Sequence, residues 1–400
     1  GDPVAAVVAD SLEQARTAAE AIVLDIEELP AVVDMGKALQ SDSTKVHDDL
    51  SDNLCYDWQF GTDTETTDAA FKGAAHVTTL ELVNNRLVAN PMEPRVAVGD
   101  YSRANDEHTL YTTSQNPHVI RLLMGAFVLG IPEHKLRVVA PDVGGGFGTK
   151  IFHYAEEAFC TFAAKACNRP VKWTSTRSEA FMSDAHGRDH VTKIELALDK
   201  DNNFLAVRTD TMANMGAYLS TFSSSVPTWL HGTLMQGLYV TPKINVDVTG
   251  VFTNTVMVDA YRGAGRPEAT YLLERLMDTA ALEMDMDPAE LRLKNFIPPF
   301  DGVEQPGYQT QVALQYDSGN YHAVLKRALE MVGYEKFRKE QAEARKEGKL
   351  LGIGFSTYIE ACGIAPSNLV GQLGARAGLY DAATVRVNAT GSISVMVGAH

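Results

Sequence analysis

Four glycines occupy five positions in the segment Val139-Ala-Pro-Asp-Val-Gly-Gly-Gly-Phe-Gly-Thr-Lys150, at Gly144, Gly145, Gly146 and Gly148. Such density marks backbone that must turn left-handed or lie close against a ligand. A short apolar run precedes the glycines, and a helix-like run from Ile151 to Lys165 follows. The free N–H groups of the loop would then face an anion such as a phosphate. A plain strand-to-helix joint can have the same composition. Neither familiar nucleotide motif fits. Anchored on Lys150, a Walker A pattern puts Thr149 at its second glycine and Ile151 where a magnesium-binding Ser or Thr belongs. A dinucleotide fingerprint begun at Gly144 or Gly146 needs its last glycine at Thr149 or Ile151.

Two further stretches carry polar chemistry. In Val258-Asp-Ala-Tyr-Arg-Gly-Ala-Gly-Arg-Pro-Glu268, Arg262 and Arg266 flank two glycines beside the start of a helix read over Pro267 to Glu283. A proline suits a first helical turn, and the positive end of the helix dipole adds to the two arginines. Thr112-Thr-Ser-Gln-Asn-Pro-His118 is a polar turn closing a strand-like run, and Gln115 in it reads either as a turn residue or as a ligand.

The elements that must position these residues follow from periodicity. Strand-like runs span His76 to Leu82, Arg95 to Val98, His108 to Thr112, Leu136 to Ala140, Lys172 to Ser175, His190 to Leu198, Phe204 to Met212 and Ile244 to Thr253. Helices are expected at Asn116 to Leu129, Ile151 to Lys165 and Pro267 to Glu283, and a shorter one capped by Asp287. Upstream, Val4 to Ala9 and Val23 to Glu27 read as strands around a helix opened by Ser11 and Gln14 as a capping box. Residues 36–67 read as a polar surface linker. Pro298-Pro299 and the run to Tyr308 mark a boundary, followed by helices at Ala323 to Val332 and Tyr334 to Glu347, then a strand segment from Gly352 to Ile364. The mixture is α+β.

Composition narrows the function class. A chain of 400 residues with 45% hydrophobic and 22% charged residues suits a globular protein with more than one core. Its net charge of −16, without a basic tract, argues against nucleic acid and against anionic membrane surfaces. No apolar run reaches spanning length, so no membrane insertion is expected. The four cysteines, Cys55, Cys160, Cys167 and Cys362, have no CxxC or Cys/His ligand spacing, which suggests neither an iron–sulfur cluster nor structural zinc. Cys160 and Cys167 fall on one helix face and read as buried small hydrophobes. Low cysteine use fits a cytoplasmic location. Both edges read as cut, as in a fragment.

In order and spacing, Asn90-Pro-Met-Glu-Pro94, Gln115-Asn116, the Gly144 to Lys150 loop and the Ala260 to Arg266 loop resemble the molybdopterin-binding large subunit of the molybdenum hydroxylases, the xanthine dehydrogenase and aldehyde oxidase family. The resemblance covers nearly the whole chain. It is nearest to the carbon monoxide dehydrogenase-like branch of bacterial large subunits. It implies the end of a small α/β hammerhead-like domain (residues 1–35), a linker (36–67), a first molybdopterin-binding domain (68–298) and the start of a second (299–400).

The resemblance also implies roles. Gln115 matches a glutamine whose amide donates to the metal's apical oxo group. Phe147 matches a phenylalanine near the metal, with Gly145, Gly146 and Gly148 letting the backbone approach. Arg262 and Gly263 match second-loop positions beside the metal, and Ala264 a substrate position. Arg188 matches a substrate arginine but reads equally as a surface or ion-pair arginine, and Phe355 reads either as lining the substrate cavity or as part of a packed strand. The implied cofactor is molybdenum–molybdopterin, in the cytosine dinucleotide form, with no side chain ligating the metal. Iron–sulfur clusters and FAD would sit on a small and a medium partner subunit, in a dimer of heterotrimers. The implied reaction is hydroxylation of an aldehyde, N-heteroaromatic or similar small molecule with oxygen from water. Its base is a glutamate in a Val-Gly-Glu segment absent from these residues, so it is expected beyond residue 400.

The chain also departs from its relatives. Gly263 stands where carbon monoxide enzymes carry a copper-binding cysteine. Ile151 replaces a purine-contacting glutamate, and Ala264 replaces an aromatic that stacks on purine, so purines are disfavoured. Glu93 and Glu268 match no catalytic position and read as structural. The alternative is a non-catalytic protein that keeps the loops for anion or partner binding.

Overall fold

The computed structural model describes residues 2–300, 307–361, 371 and 382–397. Cys362 and the end of the Gly352 to Ile364 segment lie outside them. The chain forms two compact units, Gly1–Tyr358 and Ile359–His400.

Nine strands of the first unit build two sheets: β1 (Leu54–Gly61), β2 (His76–Asn84), β3 (Val96–Ser102), β4 (Glu107–Thr112), β5 (Leu136–Val139), β6 (Val171–Thr174), β7 (His190–Leu198), β8 (Phe204–Gly216) and β9 (Ile244–Phe252). The larger sheet runs β1-β9-β8-β7-β2, and the smaller β5-β4-β3-β6. Pairing is antiparallel except β8 with β9 and β4 with β5, which run parallel. Each parallel pair needs a long crossover. The one between β8 and β9 carries Tyr218 to Thr241, and the one between β4 and β5 carries a helix.

Helix α1 (Leu12–Glu20) is capped by Ser11, whose hydroxyl accepts from Gln14 N–H at 3.3 Å. The predicted strands on either side of it are absent, and Val4, Val23, Leu24 and Ile26 are exposed. No described residue offers those segments a ladder, and unpaired extended backbone is not a strand. Residues 36–67 also differ from the expected linker, because β1 lies within them and pairs along β9 from Leu54 to Gly61.

Helix α2 (Thr64–Lys72) follows β1. Helix α3 (Pro117–Leu123) gives way to a π-helical stretch, Met124–Leu129, ended by left-handed Gly130. Helix α4 (Ala155–Cys167) begins four residues later than expected, because Ile151 N–H is spent on Gly148 O at 3.0 Å, closing the glycine loop. Its start is set by Tyr154 N–H donating to Glu157 Oε2 at 3.1 Å.

The smaller sheet packs Ala97, Leu110, Leu136 and Val171 against Ile120, Met124, Cys160, Ala163 and Ala164 from the helices. At Gly99 a Cβ would overlap the Cys160 carbonyl, so helix and sheet meet as closely as backbone allows. Cys167, seven residues beyond Cys160, is exposed at the helix end, past the edge of the core. Helix α5 (Arg266–Glu283) lies across β2 and β7 and buries Ala269, Leu272, Leu273, Leu276, Met277 and Ala280. That three- and four-residue spacing is a helical stripe, and each buried leucine contributes roughly 1.5–3 kcal/mol.

Helix α6 (Pro288–Asn295) is capped by Asp287 as predicted. Helices α7 (Tyr321–Val332) and α8 (Tyr334–Lys346) follow, and no strand forms among residues 351–361. In the second unit a hairpin pairs Ala383–Val387 with Ile393–Val397.

Candidate functional site

The first glycine loop leaves β5 and closes at Lys150, with Gly145 at φ +91°, Phe147 at +52° and Gly148 at +102°. Gln115, in the turn after β4, reaches it from a distance of about thirty residues in sequence. Its N–H donates to Lys150 O at 2.8 Å, and its Oε1 accepts from Gly148 N–H at 3.0 Å. A Cβ at Gly146 would overlap the Gln115 carboxamide, so glycine is required there. Gln115 and the loop therefore converge as the sequence predicted. With its oxygen engaged, the Gln115 NH2 group meets no acceptor among the described residues, and neither do the N–H groups of Gly146 and Phe147.

Glu93 clips the open end of the loop. Its carboxylate accepts from Gly144 N–H and from Lys150 Nζ, the latter at 3.3 Å. The Lys150 side chain is fully buried, and burial lowers its pKa while Glu93 opposes that shift. Arg177 in turn donates to Asn90 Oδ1 and to the carbonyls of Pro91 and Met92, fixing the segment that carries Glu93. Glu93 is thus structural, as read from the sequence.

The second loop lies against the first. Arg262 N–H donates to Phe147 O at 3.0 Å, and the Arg262 guanidinium sits 5.7 Å from the Phe147 ring centre. At Gly148 a Cβ would overlap the Ala260 carbonyl. Gly263 (φ +94°), Ala264 (φ +34°) and Gly265 (φ +84°) then turn the chain into α5. Beneath the loop, burial pushes Asp259 up to about 6, and its carboxylate accepts from Phe222 N–H at 2.9 Å. Burial depresses His231 to about 4 and, together with the neighbouring His231 and Arg188, His190 to about 3.

The remaining candidates divide. Arg188 is buried and ion-paired to Glu268 at 3.0 Å, which is the ion-pair arrangement that the sequence offered beside a substrate role. Glu268 is its structural counter-charge. Phe355 packs edge-on against Tyr334, with its ring 5.7 Å from the Arg292 guanidinium, and neither partner belongs to the two loops. Ala264 stays half-buried at the apex of the second loop. Sequence reasoning missed Arg177, which nothing in its local sequence distinguishes from a surface residue, and it assigned no role to Asp259 and Tyr261 although both lie in the second motif.

Beside the exposed Arg262, the donors that meet no acceptor among the described residues are the Gln115 NH2 and the N–H groups of Gly146 and Phe147. Such a set suits an oxygen-rich anionic ligand laid against bare backbone. Among the described residues no group of His, Cys, Asp or Glu could hold a metal directly. The unpartnered donors are of the kind that fit the oxygen atoms of a molybdopterin.

Comparison with known proteins agrees. Residues 46–296 and 327–400 each match a molybdopterin cofactor-binding domain. The chain is 36% identical to the carbon monoxide dehydrogenase large chain of Afipia carboxidovorans, over 99% of its own length and 50% of the relative's. It is 32% identical to the nicotine 6-hydroxylase large subunit of Paenarthrobacter nicotinovorans, over 100% of this chain and 48% of that one. The crystal structure of quinoline 2-oxidoreductase from Pseudomonas putida 86 superposes with a TM-score of 0.88 at 32% identity, covering 97% of this chain and 48% of that one. The chain thus spans about half the length of the curated relatives it matches. It belongs to the molybdopterin cofactor-binding family of molybdenum hydroxylase large subunits.

Proposed function

We propose that this chain is part of the catalytic large subunit of a molybdenum hydroxylase, one that oxidises an aldehyde, an N-heteroaromatic or a similar small molecule. The observation that carries this reading is that Gln115 bonds to Gly148 and Arg262 to the adjacent Phe147, where the two loops are in backbone contact. Gln115, Gly145, Gly146, Phe147, Gly148, Arg262 and Gly263 would hold the cofactor, in its cytosine dinucleotide form. When bound, the cofactor supplies the oxygen-transfer and two-electron redox chemistry. Gln115 donates through its amide, fixed in that orientation by Gly148 N–H. Arg262 places positive charge beside the ligand, and the Phe147 ring borders it. The proton acceptor that the resemblance implies, a glutamate, would lie outside these 400 residues.

Small iron–sulfur and medium FAD subunits carry the electrons away, in a dimer of heterotrimers in the cytoplasm. Glycine at 263 leaves no thiolate for copper, so a copper-assisted carbon monoxide reaction is not expected.

The test is to purify the full-length subunit with its partner subunits and measure bound molybdenum, the cytosine nucleotide released by acid and any stoichiometric copper. About one molybdenum and one cytosine nucleotide per subunit, without copper, is the expected result. A complex without molybdenum, made in a host that loads a related enzyme, would leave only anion or partner binding for these loops.

A further inference from the structure

A short stretch, His186–Asp189, runs beside the second loop. The two backbones are linked by His186 N–H donating to Met257 O at 3.0 Å and Asp259 N–H donating to His186 O at 2.8 Å. Gly187 has no room for a side chain, because a Cβ there would overlap Tyr261 Cβ. Arg188 (φ +64°) and Asp189 (φ +69°) then both adopt the left-handed region. For residues other than glycine this costs about 1 kcal/mol each or more, and it persists only where surrounding contacts over-determine it.

The contacts are there. Asp189 accepts from Arg86 Nε at 2.7 Å and from Asn214 Nδ2 at 3.0 Å. Arg188 Nη1 donates to Tyr261 O at 2.7 Å and to Glu268 Oε1 at 3.0 Å, and Nη2 donates to Arg262 O at 2.9 Å. Its guanidinium also lies 4.8 Å from the centre of the Tyr261 ring. The side chains of Arg188 and Glu268 are only 6% and 1% exposed, so the pair is desolvated and sensitive to geometry.

We propose that Arg188 is a positioning residue: it grips the two successive carbonyls of Tyr261 and Arg262, anchors them to α5 through Glu268, and so fixes where Arg262 points. The inference rests on the reading that the second loop borders the cofactor. Only arginine serves this role well. Its planar fork supplies two parallel donors to carbonyls and a third to a carboxylate, whereas a lysine ammonium is a point charge. The strain at Arg188 and Asp189 is the backbone geometry that turns the fork under the loop.

The test uses Arg188→Lys and Arg188→Met in the full-length subunit assembled with its partners. Amide hydrogen exchange across residues 260–266 is read beside that of residues 144–150, with kcat and KM for benzaldehyde and quinoline as probes. The expected result is exchange at least tenfold faster in the second loop, with the first loop nearly unchanged, and less acceleration in Arg188→Lys than in Arg188→Met. For whichever probe the wild type oxidises, kcat falls at least tenfold while KM changes less than threefold. Unaltered exchange with a rise confined to KM would overturn the proposal and return Arg188 to substrate contact. If Arg188→Met does not fold, Arg188→Lys alone decides. Exchange is read whether or not metal is bound, so a wild-type complex lacking molybdenum would count against the proposed function and leave this test standing.

Discussion

Glu93 and Gln115 hold the first glycine loop by side-chain acceptors on its N–H groups, whereas Arg188 holds the second by side-chain donors on its carbonyls. The acceptors reach Gly144 and Gly148, and the donors reach Tyr261 and Arg262. The two fastenings differ in sign yet have one consequence. Glu93, Gln115 and the two carbonyls are thereby engaged within the protein, while the Gln115 NH2 and the N–H groups of Gly146 and Phe147 meet no acceptor among the described residues. On the proposed function, a chain of net charge −16 would in this way build a local site for a negative ligand.

The contrast breaks most completely where the loops touch. Gly148→Ala places a Cβ at φ +102° against the Ala260 carbonyl, which is backbone and cannot swing aside. Left-handed strain plus displacement of one loop predicts a loss of about 2–4 kcal/mol in stability. Cofactor retention should fall with it, read as unfolding midpoint and molybdenum content. A variant that keeps both would mean that the loops do not depend on their contact.

Acidification probes the second loop from below. His190 and His231 titrate near 3 and 4 in the folded chain against an ordinary 6.5. The unfolded chain takes up those protons first, so stability falls as pH drops from about 6.5 towards 4. Asp259, raised to about 6 from 3.8, works in the opposite sense, because the folded state binds its proton first over that window. Two histidines outweigh one carboxyl, giving a net loss on the order of a few kcal/mol by pH 4. Denaturant midpoints at pH 7, 5.5 and 4.5 should decline in that order, and a rising midpoint would contradict the assignment of buried neutral imidazoles.

A smaller effect is expected from Glu93→Gln. One carboxamide oxygen can still accept from Gly144, but Lys150 loses its counter-charge. Glu93 is 30% exposed, so water partly compensates and the cost is about 1–2 kcal/mol. Exchange protection should drop across 144–150 and stay level across 260–266. Equal loosening of both loops would show that they are held as one piece.

Much of this was legible in the sequence. Alternating apolar residues placed β7 and β9, and the two glycine clusters located the loops. The strand β1 was legible too, since Tyr56, Trp58 and Phe60 alternate with Asp57 and Gln59, but the turn-rich sequence around it obscured that period. The early helix start at Ile151 failed because residues 151–154 serve the loop before they serve α4. The π-helical turn at Met124–Leu129 has no sequence period of its own. Arg188 was legible as a site residue but not in its role. An arginine after His-Gly looks the same whether it faces a ligand or two carbonyls, and the distinction lies in tertiary contacts with residues more than seventy positions away.

The account stands most directly on Gln115. Because Oε1 is bonded to Gly148 N–H, Gln115→Ala would remove a loop fastening as well as a donor, and Gln115→Glu separates the two. Glutamate keeps an acceptor for Gly148 and replaces the outward NH2 with an oxygen that cannot donate. In the full-length complex, turnover per bound molybdenum should fall roughly 100- to 1,000-fold, the usual loss for one pre-organised donor at a reacting centre, with the unfolding midpoint nearly unchanged. Turnover equal to wild type at full molybdenum content would make Gln115 a structural turn residue and remove the central contact from the site.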